Sequence, residues 1–274
     1  MPRRRWVVNS LAVLFCLVWT FPVYWMVNTA VKPRPEVMTA TPHFVPAHPT
    51  VDNFVKAVGQ DQFLTNLGNS VIVVACTVAT SIVLGIFAAA ALSRFRFRGR
   101  RTIMVVILAV QMLPATALLI PMFVMFNSLD LLGTYLALVL AYVATVLPFS
   151  IWVMRGFFVA IPVEIEEAAH LDGATTWEVL TRVLFPLVAP GVIATGIFSF
   201  IAAWNDYLFA YTFMQDQSRY TLPVWLASFT NPHTGTDFGG QMAASVLFSL
   251  PVIVFFLIIQ RNLVAGMSAG AVKG

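Results

Sequence analysis

Long apolar runs separated by short polar ones organise the whole chain. A helix needs about 20 apolar residues to cross a bilayer, and six stretches qualify: roughly 6–31, 71–92, 102–126, 134–158, 187–213 and 241–259. The first follows Arg3-Arg4-Arg5 and in that respect resembles a secretory signal. Its apolar run is too long for a signal core and no small-residue cleavage site follows, so it reads as a membrane helix. Prolines punctuate the runs at Pro22, Pro114, Pro121, Pro148 and Pro251. Each removes a backbone hydrogen bond and predicts a kink that neighbouring helices must accommodate, which favours bent helices lining a cavity. The expectation is an all-α membrane protein: residues 1–274 form one transmembrane domain of six helices. Two connections are sizeable. Residues 32–66, with "KPRPEVMTATPHFVPAHPTVDNF", are Pro-rich and predicted to run extended; the other is 216–240.

Composition strengthens this picture. Of 274 residues, 59% are hydrophobic and 10% charged, against about 25% charged in soluble domains, and the mean hydropathy is +0.84. Charge then sets orientation. With the N-terminus inside, the cytoplasmic side holds Arg3, Arg4, Arg5, Arg94, Arg96, Arg98, Arg100, Arg101, Arg155, Arg182, Arg261 and Lys273, and the outside keeps Lys32, Arg34, Lys56 and Arg219. That excess of basic residues predicts both termini in the cytoplasm. The segment "SRFRFRGRR" reads as a topology anchor touching anionic lipid headgroups. Cys16 and Cys76 fall inside apolar runs, where they serve as small hydrophobes, and no disulfide is expected. His43, His48, His170 and His233 are scattered, so no metal site is expected. With no paired acid and base, nucleophile triad or Walker A sequence, the chain reads as neither an enzyme nor a nucleotide binder, and nothing points to nucleic acid.

One stretch breaks the apolar pattern. "EIEEAAHLDGATTWEVLTRVLFPLVAPG", from Glu164 to Gly191, opens with Glu164, Glu166, Glu167, Asp172 and Glu178, five of the chain's twelve acidic residues. Pro162 suits a first helical position, and the glutamates fall in the first turns, where the helix dipole favours negative charge. Ile165, Ala168 and Ala169 share one face, and Glu164, Glu167 and Leu171 another. Asp172-Gly173 is a turn signal. Thr175 to Glu178 reads as a capping box, opening a second short helix with Trp177, Leu180, Val183 and Leu184 on one side, which Pro186 ends. The result is a helix–turn–helix elbow over residues 160–186, outside the membrane. Adjacent alanines and an exposed Trp177 make it a docking surface rather than a solvated connector.

"EAAHLDG", then nine residues, then "VLFP" resembles the E-A-A, three residues, G, nine residues, I-x-L-P signature of ABC-transporter permease subunits, with Val183 for isoleucine and Phe185 for leucine. "NSVIVVACTVATSIVLGIFAAAALSRFRFRGRR", "QMLPATALLIPMF", "LLGTYLALVLAY", "IAAWNDYLFA" and "LVAGMSAGAVKG" are similar to the carbohydrate-importer branch that includes the maltose system's smaller permease. The resemblance covers nearly the whole chain. It implies a half-pore of an ATP-driven importer in a bacterial plasma membrane, whose elbow between helices 4 and 5 supplies coupling helices to a cytoplasmic ATPase. It also implies the partners: a second homologous permease, two copies of the ATPase, which bind the ATP and Mg, and an extracytoplasmic solute-binding protein or lipoprotein, alongside membrane lipid. By motif match Glu167 makes the principal polar contact, Ala168 and Ala169 permit close packing, Gly173 makes the turn and Pro186 starts the return to the membrane, with the C-terminal tail reaching the ATPase.

Candidate pathway residues are Trp204, Asn205 and Asp206, with Gln111, and more weakly Asn127 and Gln241. A membrane-embedded carboxylate is expensive and suggests function; a tryptophan face suits a sugar ring. The competing explanation is that Asn205 and Asp206 bond neighbouring helices or free backbone groups near a break. Lys and Arg are assigned outside the spans, Arg155 at the end of the fourth run being counted with the cytoplasmic side. This argues against a phosphate ligand and for a neutral sugar; a polyol or glycerol phosphate is the runner-up substrate. A stand-alone ion-coupled secondary transporter is the alternative from another class; it would show inverted repeats and buried ion-coupling groups, of which only Asp206 is a candidate.

Overall fold

Backbone polar groups in an apolar setting must be satisfied within their own segment, and each long run accordingly forms helix. The computed structural model describes residues 2–59, 62–231 and 235–270; His233 and Lys273 lie outside them. The helices are α1 (Pro2–Ala30), α2 (Arg34–Val37), α3 (Asp52–Gly59), α4 (Phe63–Arg94), α5 (Arg100–Gln111), α6 (Ala115–Ser128), α7 (Tyr135–Ala160), α8 (Val163–Leu171), α9 (Thr176–Glu178), α10 (Phe185–Leu187), α11 (Ala189–Trp204), α12 (Leu208–Phe213), α13 (Leu222–Ala227) and α14 (Phe238–Gly270). A π-helical turn, Val179–Leu184, joins α9 to α10. The two-residue strands β1 (Thr230–Asn231) and β2 (Gly235–Thr236) pair antiparallel. Among the described residues four helices are long and apolar enough to cross a membrane, and the count reaches six if each of two bent helix pairs forms one span.

Those bent pairs mark where the simple six-rod expectation fails. The third run is two helices, α5 and α6, meeting at 100°. Pro114 has no N–H to donate and forces Leu113 away from helical backbone angles, so the break falls at that proline, whose ψ is 132°. Pro22, Pro121, Pro148 and Pro251 stay inside their helices. The fifth run is interrupted after Trp204 and resumes as α12. The segment 32–66 also differs from expectation: it contains α2 and α3, and α4 starts at Phe63, well before the predicted span.

The chain forms two compact units. One comprises 1–66 and 222–253. Here Asn53 is buried and its Nδ2 donates to the carbonyls of Ala30 and Lys32, each at 2.8 Å, which ties the non-helical chain after α1 to α3. A Cβ at Gly239 would lie 2.9 Å from that same nitrogen, so only glycine fits beside it. Phe63, Trp225 and Phe229 stack in series, with centroids 5.1 and 5.0 Å apart.

The second unit comprises 67–221 and 254–274. Within it α7 packs most extensively against α11. Gly191 allows the close approach: a Cβ there would sit 2.6 Å from the Phe157 ring. Ser81 of α4 and Ser199 of α11, both buried, hydrogen-bond at 3.1 Å, a polar link of the kind that joins helices where water is absent. A core of Ile86, Ala89, Ala90, Met154, Phe158, Val179, Leu184 and Val188 brings α4, α7 and the charged loop together.

Candidate functional site

The elbow after α7 is built from local signals. α8 starts at Val163, with Pro162 as its N-cap rather than its first helical residue, and Glu164 and Glu166 lie in its first turn. It ends in a Schellman arrangement. Gly173 at φ +88° donates its N–H to the His170 carbonyl at 3.0 Å, and Ala174 donates to the Ala169 carbonyl at 3.0 Å. A left-handed residue is required there, and glycine adopts that conformation without the Cβ penalty. The His170 Nδ1 lies 3.0 Å from the Ala174 carbonyl; a carbonyl only accepts, so that nitrogen carries the proton.

The second helix opens with the expected capping box. Glu178 N–H donates to Thr175 Oγ1 at 3.3 Å, and Thr175 N–H donates back to Glu178 Oε2 at 3.1 Å. Hydrogen bonds from the Thr175 backbone and hydroxyl, then the nearby Arg182 charge, hold the Glu178 carboxyl below its usual range. Pro186 does not end this helix. It runs from Thr176 to Leu187, then bends by 68° into α11. The π turn just before Pro186 widens the spiral and relieves the clash between the proline ring and the preceding turn, which moves the bend to Val188.

The two helices of the elbow face different ways. Val179 and Leu184 are buried and Leu180, Ala169 and Ala174 pack against the same core. Trp177 is 61% exposed yet stacks parallel on Phe87 of α4 at 6.1 Å. Thus Ala169 and Trp177, expected at the docking surface, are engaged with the body of the protein. Glu164, Glu167, Ala168 and Leu171 are exposed, and their i, i+3, i+4, i+7 spacing puts them on one face. Leu171, at 89%, is the most exposed large apolar side chain among the described residues. A groove of about 360 Å³ opens beside this face, lined by Asp172, Gly173, Ala174 and Arg182 among others. Glu166, between those exposed residues, turns inward to Arg94 at the end of α4, with Nε and Oε1 2.5 Å apart. The contact is not aligned as a hydrogen bond, so its attraction is Coulombic. Arg94 also donates to the Ile161 carbonyl at 3.2 Å. A basic run in sequence gave no reason to single out Arg94 from its neighbours; only the return of the elbow onto α4 does so.

The pathway candidates occupy helix breaks. Asp206 sits between α11 and α12, and its Oδ1 accepts from Tyr142 Oη at 2.8 Å and from the backbone N–H groups of Phe209 and Ala210 at 3.1 and 3.2 Å. This is the arrangement of the structural alternative: a carboxylate that satisfies free backbone groups and a neighbouring helix. Asn205 is exposed and donates to the Ile201 carbonyl at 2.8 Å. Trp204 is 2% exposed, stacked on Phe200 at 5.6 Å, so its face is not offered to a solute here. The aromatic surface beside Asp206 is instead Tyr207 and Tyr211, 40% and 56% exposed and stacked at 5.3 Å; their i, i+4 spacing was the available sequence signal. Gln111 lies at the α5–α6 break, lining a 190 Å³ cavity with Thr145 and Pro148 of α7. Tyr142 and Thr145 are one turn apart on α7, so a single helix backs both breaks. Asn127 is exposed and Gln241 half-buried. Among the described residues no set of three His, Cys, Asp or Glu converges to hold a metal ion.

Residues 81–269 match the family described as binding-protein-dependent transport system inner membrane component. The chain is 39% identical over 266 residues to the diacetylchitobiose uptake system permease of Streptomyces coelicolor, covering 97% of this chain and 96% of that one. It is 34% identical to the trehalose/maltose transport system permease of Thermococcus litoralis, covering 96% and 95%, and 35% identical to the trehalose transport system permease of Mycobacterium tuberculosis, covering 98% and 96%. A bacterial ABC transporter involved in import of the acidic polysaccharide alginate shares the fold, with a TM-score of 0.82 at 24% identity over 94% of this chain and 96% of that one. This protein therefore belongs to the binding-protein-dependent inner membrane component family, the multi-pass permease subunits of ABC importers.

Proposed function

We propose that the chain forms half of the translocation pathway for a sugar, and that its elbow couples that pathway to a cytoplasmic ATPase. The observation that carries the coupling role is the exposed face of α8. Glu164, Glu167, Ala168 and Leu171 form an acidic, partly apolar strip whose backing helix is fixed to the core. A strip held rigidly at its rear transmits a partner's movement to α4, α7 and α11 rather than absorbing it. The sugar class is supported by the named substrates of three relatives, diacetylchitobiose, trehalose/maltose and trehalose.

In this reading both termini and the elbow are cytoplasmic, a second permease completes the pore, and two ATPase copies bind ATP and Mg, so this subunit is not catalytic. A solute-binding protein delivers the sugar from outside; a related alginate transporter has been seen with a pentasaccharide-bound periplasmic protein. The test is purification of the tagged chain in mild detergent, with and without Glu167→Lys. The expected result is that an ATPase and a second permease accompany the wild type, and the ATPase is lost from the variant. Retention of the ATPase by the variant, or sugar uptake driven by an ion gradient without ATP, overturns the reading.

A further inference from the structure

From the arginines around the start of α5 we infer a binding site for the phosphate of an anionic phospholipid, resting on the reading of the chain as a membrane permease with α5 and α6 as one of its bent spans. An open cavity of about 530 Å³ is lined by Phe97, Gly99, Arg100, Arg101, Met104 and Arg155. Two of its three guanidinium groups are anchored from behind. Arg100 donates to the carbonyls of Ser93 and Phe95 at 3.3 and 3.5 Å, and Arg155 Nε donates to the Leu92 carbonyl at 3.4 Å. Those carbonyls belong to the last turn of α4 and the residue after it, where acceptors lack helical partners. The anchoring uses part of each fork, and an arginine fork matches two phosphate oxygens at once. Carboxylates do not line the cavity, and the ion pairs among the described residues use Arg94 and Arg182 instead.

Left alone, this arrangement is electrostatically unfavourable. Three cations share one cavity, and two of them stand in the first turn of a helix that has no acidic residue there, where the dipole repels positive charge. An anion relieves both terms. The cavity's other walls say which kind: Phe97 and Met104 are apolar, and beyond them α5 exposes Ile103, Val105 and Val106. A headgroup phosphate in the cavity places its acyl chains along that apolar face, which a free phosphate ion has no means to use. Arg155, counted with the cytoplasmic side from sequence, lies inside α7, and its reach to Leu92 places its charge at this boundary.

The test is native mass spectrometry of the full chain released from detergent, titrated with phosphatidylglycerol, phosphatidylcholine or inorganic phosphate. Wild type is expected to retain one phosphatidylglycerol at least tenfold more strongly than phosphatidylcholine. Arg101→Gln with Arg155→Gln is expected to lose that preference, and Arg96→Gln with Arg98→Gln, which removes equal charge outside the cavity, is expected to keep it. Equal loss in both pairs means diffuse attraction and overturns the site. Displacement of the lipid by millimolar inorganic phosphate assigns the cavity to a soluble anion and overturns it as well. Should the first variant fail to fold, a photoactivatable phosphatidylglycerol on the wild type must label the peptide spanning Phe97 to Met104; labelling elsewhere alone overturns the proposal.

Discussion

The two short helices of the elbow have similar length and opposite fates. From α8, Glu164, Glu167, Ala168 and Leu171 face outward, whereas the helix from Thr176 to Leu187 drives Val179 and Leu184 into the core between α4 and α7. One helix is scaffold and the other is surface, joined by a turn that fixes the angle between them. Stability and coupling should therefore separate when each is altered.

The largest expected effect on stability comes from the scaffold side. Leu184→Ala removes a fully buried side chain and should cost about 2–5 kcal/mol, seen as a lower thermal unfolding midpoint in detergent. Leu171→Ala should stay within about 0.5 kcal/mol of wild type while reducing ATPase retention, because Leu171 is 89% exposed. If both variants lower the midpoint equally, the division between scaffold and surface is wrong.

Next is the turn. Gly173 at φ +88° has open space around a would-be Cβ, so Gly173→Val fails for backbone reasons alone, costing about 1–2 kcal/mol. Gly173→Asn should recover most of that, since asparagine tolerates the left-handed region. Uptake coupled to ATP should fall further than stability in the valine variant, because the turn sets where α8 points. Proportionate losses would make the turn a matter of folding only.

What was legible in sequence follows the range of the interactions. The capping box at Thr175, the left-handed Gly173 and the acidic first turn of α8 are local, and residue types a few positions apart specify them. The face of α8 carrying Glu164, Glu167 and Leu171 was also readable from periodicity. Trp177 is exposed, as the sequence suggested, but its stacking on Phe87 was not readable, because that partner is ninety positions away on α4. Pro186 was misjudged because a π turn can absorb a proline, and nothing in the residues "VLTRVL" announces that turn. The structural alternative for Asp206 could be named from sequence, but its partner Tyr142 is visible only once α7 and α11 are packed together. Likewise Trp204 and Tyr207 are three apart in sequence, yet the break between α11 and α12 buries the first and leaves the second open.

The Arg94–Glu166 contact tests whether the surface helix is independent of the scaffold after all. Both side chains are about 15% exposed, so solvent screens the pair partly, and a double-mutant cycle of Arg94→Gln and Glu166→Gln should return a coupling of about 1 kcal/mol. Either single change should weaken coupling of ATP hydrolysis to uptake while ATPase retention persists, because the outer strip is untouched. Loss of retention would mean that the pair positions the strip itself, and the two helices would then be one unit.

The smallest effect belongs to the cap that starts the scaffold helix. Thr175→Ala should cost about 1 kcal/mol at neutral pH, since the first turn loses an acceptor for the Glu178 N–H. Its partner sets the pH dependence. Glu178 is held below the usual glutamate range by bonds from Thr175 and by Arg182. A depressed carboxyl stabilises the fold fully above its unfolded pKa, and that contribution is lost as pH falls through the lower folded value. Glu178→Gln should therefore flatten the stability profile of the elbow only below about pH 4.5, and hydrogen exchange at the amides of Val179 and Leu180 should report it. A change confined to near-neutral pH would place the titrating group elsewhere and overturn the assignment to Glu178. Because α8 shares no capping bond with Glu178, exchange at Ala168 and Ala169 should stay unchanged through the same acid range, which separates the two helices by the weakest interaction that distinguishes them.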